Sequence, residues 1–446
     1  MFEKQWREVK IFGRRSPVRI IPLGYALYTL LGAAALMLPW CRTAPASAGM
    51  LDHLFISASA VSTTGLCTVS VRETYSFWGQ LVILLLIQVG GVGFMTMGSF
   101  ITLAVSGKIS PFRRGVATAV LSMPKTFDLK CFLWSIVSFT LLIELAGAIA
   151  LYPAFAANGL PMAWWQAIFH SVSAFCTAGF GLLDNSFENF RGNLWVNGVI
   201  MALSYLGAVG FIVMSDWWEW LTGQKKGMTL TSKIILWCTA AISLAGTALF
   251  ALNEPSVAGL PWLERIAASW FQVMTASTTV GFNTIPIGAL SGGSLFLLAV
   301  VMIIGASPSG TGGGIKTTSV TALWAVIMAV FRRKEEVTFA GRVIPAARVR
   351  AATANVMFYL LTLSAGIYFV ALAEHHPLTA LMFECASALG TVGLSCGITG
   401  ALSAAGKLLI IGLMFLGRVG PLALGMALFI TRRGNAEEAV KEDVVI

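Results

Sequence analysis

Four stretches of this chain carry one pattern, Phe-x-x-x-(Ser/Thr)-Ala-x-x-Thr-x-Gly-(Leu/Phe), running from Phe55 to Leu66, Phe169 to Phe180, Phe271 to Phe282 and Phe383 to Leu394. All six specified positions are filled in every copy, and the glycines Gly65, Gly179, Gly281 and Gly393 lie 114, 102 and 112 residues apart. A repeat of that length is a whole supersecondary unit. The chemistry open to a Thr-x-Gly turn after a short apolar segment is that of its carbonyl oxygens. Non-helical backbone at membrane depth is tolerated only where protein buries it or water reaches it. Glycine permits the φ values that aim successive carbonyls the same way, and rings of such oxygens replace the water shell of a cation. The candidate ion-binding positions are therefore Thr63, Thr64 and Gly65, then Thr177, Ala178 and Gly179, then Thr279, Val280 and Gly281, and finally Thr391, Val392 and Gly393.

The second turn, Thr177-Ala178-Gly179-Phe180-Gly181, is similar to the T-V-G-Y-G filter of potassium channels. Four degenerate copies in one chain resemble the Trk/Ktr/HKT superfamily of potassium transporters, and the resemblance covers nearly the whole sequence. It implies an all-α polytopic membrane protein of four tandem helix, pore helix, filter and helix modules. Eight spanning helices would then stand in a pseudo-fourfold arrangement around one pore. The implied activity is potassium uptake, with potassium held at the filter residues and no organic cofactor. Relatives that prefer sodium carry serine in place of the first filter glycine, so Gly65 favours potassium. The second filter positions vary as Thr64, Ala178, Val280 and Val392 and the fifth as Cys67, Gly181, Asn283 and Ser395, so selectivity is expected to be less strict than in a four-fold channel. A sodium-coupled symporter, or a less selective monovalent cation transporter of the same fold, is the alternative. The chain starts directly at its first module and is most similar to a Ktr-type translocating subunit. That implies a homodimer with one pore per subunit and a cytosolic nucleotide-binding regulatory ring docked on the basic loops.

A second feature interrupts the third inner helix: Gly305-Ala306-Ser307-Pro308-Ser309-Gly310-Thr311-Gly312-Gly313-Gly314. No helix survives such a run unbroken. A phosphate-binding loop does not fit, because Ile315 stands between the glycines and Lys316. The better reading is an unwound loop below the filter, lining a water-filled cavity. In the family it resembles, this loop gates permeation, which makes Gly305, Ser307, Ser309, Gly310, Thr311, Gly312, Gly313, Gly314 and Lys316 gate candidates. Arg418 joins them, since an arginine inside the last inner helix is costly unless it faces a cavity or pairs. By resemblance it raises a barrier to cations; as a structural ion pair its candidate partner is Glu144. Glu384 is expected to brace the fourth filter by hydrogen bonds, and His170 to be a satisfied core histidine.

The elements that must position these residues are apolar. With 57% hydrophobic and 11% charged residues and a mean hydropathy of +0.80, the chain reads as a polytopic membrane protein. Outer helices are expected at 20–39, 131–152, 232–252 and 351–372, and half-spanning pore helices at 52–62, 164–176, 262–278 and 377–390. Inner helices follow at 77–105, 194–221, 295–331 and 407–430, the first of them broken by Gly90-Gly91-Val92-Gly93. The organisation is then a cytosolic basic segment (1–19), pore modules at 20–105, 106–222, 223–331 and 332–430, the last three each led by a cytosolic loop, and a cytosolic tail (431–446). Of the 30 lysines and arginines, 23 fall in the segments this places on one side. The positive-inside rule puts both termini and the basic loops in the cytosol of a cell-membrane protein, with lipid rather than nucleic acid as the partner of that charge. Seven cysteines without C-x-x-C spacing and four scattered histidines suggest packing rather than a metal site. An enzyme is not expected, since no nucleophile, metal cluster or carboxylate pair is placed for one. An inverted-repeat transporter would show two repeats, not four direct copies.

Overall fold

The apolar segments become helices in the computed structural model, which describes residues 20–43, 48–93, 129–420 and 424–425. The expected basic segment 1–19, the first inner helix beyond Gly93, almost all of the loop 106–130, most of 421–430 and the tail 431–446 lie outside the described residues. Module one comprises α1 (Ile20–Leu36), α2 (Met50–Ser62) and α3 (Phe77–Val92), and module two α4 (Leu129–Ala157), α5 (Ala163–Phe175), α6 (Leu194–Val209) and α7 (Phe211–Leu221). Module three comprises α8 (Leu230–Asn253), α9 (Trp262–Thr278), α10 (Gly292–Ile303) and α11 (Thr317–Phe331), and module four α12 (Ala346–Ala373), α13 (Leu378–Gly390) and α14 (Ala404–Val419). One departure from an all-α chain is a two-residue antiparallel pair, Thr338–Phe339 with Arg342–Val343. Its turn, Ala340-Gly341, has φ of 47° and 75°, as a tight hairpin of this hand requires.

Each inner helix starts on a polar cap. The side chains of Ser76, Asn193, Ser291 and Ser403 accept from the amides of Gly79, Val196, Ser294 and Gly406. Such caps satisfy amides that the first helical turn leaves without partners. In modules three and four the same serine is tied to the end of the outer helix. Ser291 donates its amide and hydroxyl to Glu254, and Ser403 does so to Glu374.

Three helices are by themselves long and apolar enough to cross a bilayer among the described residues: Trp134–Ala157, Leu230–Asn253 and Ala346–Ala373. Within the described residues the inner helices are interrupted. The second, expected over 194–221, consists of α6 and α7, which meet at a 97° bend on Gly210. The cause is a recurring Gly-x-Val-Gly: Gly90-Gly91-Val92-Gly93, Gly207-Ala208-Val209-Gly210 and Gly417-Arg418-Val419-Gly420. The last glycine of each takes a positive φ (88°, 92° and 87°) and ends the helix. The first lies against the end of the module's own pore helix, where a Cβ would overlap the carbonyl oxygens of Val61, Phe175 and Leu389 respectively. In module three the break is the intramembrane loop. Along α1 the leucines 23, 27, 30 and 31 are all more than half exposed, the row a lipid-facing helix presents.

The last module meets the first through an ion pair: Lys407 Nζ lies 2.7 Å from Asp52 Oδ1, each side chain about 15% exposed (16% and 15%). Replacing one partner leaves a poorly hydrated charge, so Asp52→Asn or Lys407→Met is expected to cost about 1–3 kcal/mol. Thermal melting in detergent should show a lowered midpoint for each and a smaller loss for the double variant. Additive losses would mean that the two charges do not act as a pair.

Candidate functional site

The four pore helices end alike. Thr63, Thr177, Thr279 and Thr391 have φ of 54°, 49°, 60° and 51°, and Gly65, Gly179, Gly281 and Gly393, two residues on, have 93°, 66°, 85° and 94°. The residue between has no positive φ in any copy. Handedness that alternates over three residues turns consecutive carbonyls to one side, the disposition that a carbonyl ring needs. Left-handed backbone is a genuine outlier for a β-branched residue, so something must hold the threonines there. The (Ser/Thr) of the motif supplies it. The amide of Thr64 donates to Ser59 O, Ala178 to Ser173 O, Val280 to Thr275 O and Val392 to Ser387 O, at 2.8, 2.8, 3.1 and 2.8 Å. In repeats one and four the hydroxyl of that residue also accepts the glycine amide, from Gly65 to Ser59 and from Gly393 to Ser387, both at 3.0 Å.

The turns are apposed in cyclic order. A Cβ on Gly65 would overlap the carbonyl oxygen of Ala178, one on Gly179 that of Val280, one on Gly281 that of Val392, and one on Gly393 that of Thr64. Space as well as φ therefore demands glycine. On one side of the turns opens a cavity of about 710 Å³, lined by the four glycines and by Asp184, Glu188, Asn283, Ser395 and Thr399 among others.

On the other side runs the loop between α10 and α11. Thr63 Oγ1 donates to Thr311 O at 3.3 Å, and Thr311 Oγ1 lies 3.0 Å from Thr177 Oγ1. A Cβ on Gly312 would overlap Thr279 Oγ1, and one on Gly313 would overlap Thr391 Oγ1. Three consecutive loop residues thus meet all four first-position threonines. The hydroxyls of Thr279 and Thr391 are buried without hydrogen-bond partners. The loop is fastened at both ends. Ala306 N donates to Gly313 O, Ser307 N to Ala208 O, Gly310 N to Ser307 O and Thr311 N to Gly207 O, while Ser309 O accepts from Phe211 N. Gly305 and Gly314 pack backbone to backbone, Ser307 Oγ meets Thr317 Oγ1 at 3.2 Å, and Lys316 Nζ donates to Gly312 O at 2.7 Å.

Arg418 reaches the same place from α14. Its guanidinium donates to Thr63 Oγ1 at 3.1 Å, to the Thr311 carbonyl, and to the carbonyls of Gly90 and Gly91. The expected ion pair with Glu144 is not formed: Glu144 accepts from Gln88 Nε2 at 3.1 Å and from the Cys176 thiol at 3.6 Å. The reason is local. α3 ends at Gly93, whose φ is 88°, and its last turn leaves carbonyls for the guanidinium to bond. Glu384 is placed as expected, accepting from Ser395 Oγ, from Cys396 N at 3.2 Å and from Thr399 Oγ1 at 3.1 Å. His170 is satisfied by Gln166 O at 2.8 Å and Leu182 N at 3.3 Å. Sequence reasoning missed the brace on the third turn, where Asn283 Nδ2 donates to Glu188 at 2.8 Å and Asn283 O accepts from Phe187 N. Nothing in the spacing of Glu188 announces it, whereas the Gly-x-Val-Gly recurrence could have located the other inner-helix breaks.

The two kinds of motif hydroxyl separate in a stability test. Ser387→Ala strips the half-buried Gly393 amide of its acceptor and is expected to cost about 1 kcal/mol. The Ser173 hydroxyl has no partner, so Ser173→Ala should leave melting unchanged or slightly raised. Equal losses in the two variants would refute the assignment of the hydroxyl bond.

Comparison with known proteins agrees with this architecture. Residues 29–433 match the TrkH family, described as cation transport protein. The chain is 33% identical over 431 residues to the Ktr system potassium uptake protein B of Bacillus subtilis, covering 95% of each protein. It is 34% identical over 438 residues to the potassium/sodium uptake protein NtpJ of Enterococcus hirae, covering 96% of this chain and 95% of that one. The crystal structure of the potassium transporter TrkH from Vibrio parahaemolyticus superposes with a TM-score of 0.73 at 20% identity, over 93% of this chain and 85% of that one, so the fold is shared. The chain is a multi-pass membrane protein that belongs to the TrkH family of cation transport proteins, the Trk/Ktr group.

Proposed function

We propose that this chain takes potassium into the cell, through a pore whose selectivity filter is formed by Thr63–Gly65, Thr177–Gly179, Thr279–Gly281 and Thr391–Gly393. The observation that carries the reading is the repetition of one backbone conformation, with alternating handedness, in four turns set edge to edge. The Bacillus subtilis relative is a potassium uptake protein, and the one from Enterococcus hirae is a potassium/sodium uptake protein. The four modules are then arranged pseudo-fourfold about one axis, with eight crossings and both termini in the cytosol, in keeping with the distribution of lysine and arginine. The pore helices α2, α5, α9 and α13 point their C-terminal ends at the axis, and their dipoles favour a cation there. The unpartnered hydroxyls of Thr279 and Thr391 are free to contribute to an innermost site.

The loop from Gly305 to Lys316 is the gate in this reading. It stands directly against the four threonines, and Arg418 adds a fixed positive charge beside it. Opening requires Thr311 to leave its present partners Thr63 and Thr177, and the loop's glycine content gives it the freedom to do so. A cytosolic nucleotide-binding ring is the proposed regulator and a homodimer the proposed assembly, both by family resemblance. The sodium named for the Enterococcus hirae relative favours one second reading, in which sodium is carried or coupled as well.

Radioactive rubidium uptake into liposomes containing only the purified chain tests the pore, with potassium or sodium as external competitor. Potassium should block far more strongly than sodium. Equal competition would remove the claim of selectivity, and sodium-driven accumulation would establish the second reading. Gly281→Ser should reduce the discrimination, because its side chain meets the Val392 carbonyl and its φ is 85°. Deleting 307–313 should raise basal flux about ten-fold or more, the effect of removing a barrier of about 1.4 kcal/mol or larger. A folded deletion variant with unaltered flux would reduce the loop to a static break.

A further inference from the structure

The bend at Gly210 does more than shorten a helix. α6 begins at its Asn193 cap on the outer side and has 16 residues, about 24 Å of rise. A hydrocarbon core is about 30 Å thick, so α6 alone is too short to cross it. The 97° bend lays α7 across the axis of α6. An interfacial helix likewise lies in the plane of the membrane, with its apolar face buried in the headgroup and acyl boundary. The side chains suit that place. The first turns of α7 bury Phe211, Val213 and Met214 against the protein, whereas Trp217, Trp218 and Trp220 are 47%, 55% and 46% exposed. Indoles are enriched at the level where acyl chains give way to headgroups.

The charge beyond the helix is positive. The carboxylates of Asp216 and Glu219 are both taken by Lys225. Lys226 and Lys233 are exposed, and α8 packs against both α7 and α11, from which Arg332 and Arg333 emerge exposed. A lysine held at an anionic membrane surface is worth about 1 kcal/mol.

α7 is also joined to the loop beneath the filter turns. Phe211 N donates to Ser309 O at 3.2 Å, Ala208 O accepts from Ser307 N at 3.0 Å, and Gly207 O accepts from Thr311 N at 3.1 Å. Gly210 sits so close that a Cβ on it would stand 2.7 Å from Pro308 O and 2.8 Å from Gly310 N. The loop cannot leave the four threonines without breaking its bonds to this bend.

We propose that α7 is an interfacial arm that binds anionic phospholipid headgroups through its three tryptophans with Lys226 and Lys233, and thereby holds the intramembrane loop in place. The inference rests on the reading of that loop as the gate and of the basic side as cytosolic. A ligand stabilises the conformation it binds, so anionic lipid lowers the flux of the chain taken without its regulator.

The test uses the full chain in vesicles of phosphatidylcholine alone or mixed equally with phosphatidylglycerol, with two readouts. The first is quenching of tryptophan emission by brominated lipid. Brominated phosphatidylglycerol should quench more than brominated phosphatidylcholine, the excess falling when Trp217, Trp218 and Trp220 are changed to leucine and in Lys226→Glu/Lys233→Glu. The second is rubidium flux, which phosphatidylglycerol should lower by about five-fold or more in the native chain, the factor that 1 kcal/mol represents. It should lower flux little in the lysine variant. In the 307–313 deletion, quenching should persist while the lipid effect on flux disappears. Equal quenching by the two lipids overturns the proposal, as does flux indifferent to phosphatidylglycerol, or an effect undiminished in the lysine variant. Those results would leave the arm to a protein partner. A deletion that changes neither flux nor its lipid response would instead sink the gate reading and the coupling with it, while the quenching result alone decides whether the arm binds lipid.

Discussion

Backbone that leaves a helix inside a membrane must find its hydrogen bonds within the protein, and this fold is built around that requirement. Four turns and one long loop depart from helix near the same level. Each turn returns its second amide to the carbonyl five residues back. The loop takes carbonyls from the cut end of α6, and Arg418 takes those at the cut end of α3. Breaks in one element thus supply the partners for breaks in another. The inner helices are interrupted where the four turns need neighbours, so the same glycines that cost helix length provide room and partners for those turns.

Close approach is the second requirement, and it explains why large residues surround a centre of small ones. The motif phenylalanines Phe55, Phe169, Phe271 and Phe383 are fully or almost fully buried, as are the Leu66, Phe180, Phe282 and Leu394 side chains after each glycine. These apolar anchors hold each turn from behind. In front of them only glycine fits, since the neighbouring repeat's carbonyl occupies the space a side chain would need.

Much of this was legible in the sequence, because a motif copied four times reports its own constraints. The turns, the pore helices, the loop after Ile304 and the bracing by Glu384 stand where spacing and composition put them. What escaped has physical reasons. A glycine inside an apolar run is compatible with an intact helix at a cost of about 1 kcal/mol, so Gly210 alone did not announce a 97° bend. The alternative reading of Arg418 as an ion pair with Glu144 is not met, because its partners are the Thr63 hydroxyl and three carbonyls, and carbonyls carry no sequence identity. The left-handed threonines could not be foreseen either, since propensity argues against that conformation for a β-branched residue.

The contacts between the ends of the chain bear on the order of biosynthesis. Gly393 lies against the Thr64 carbonyl, Lys407 pairs with Asp52, and Arg418 binds Thr63 and the end of α3. The turn that leaves the ribosome first is therefore the one whose surroundings are finished last. Until some 350 residues have followed it into the bilayer, the first turn lacks a wall. A chain stopped before its final helix holds all four turns but lacks Lys407 and Arg418, so, on the function proposed above, the inserting protein is kept from conducting until it is whole.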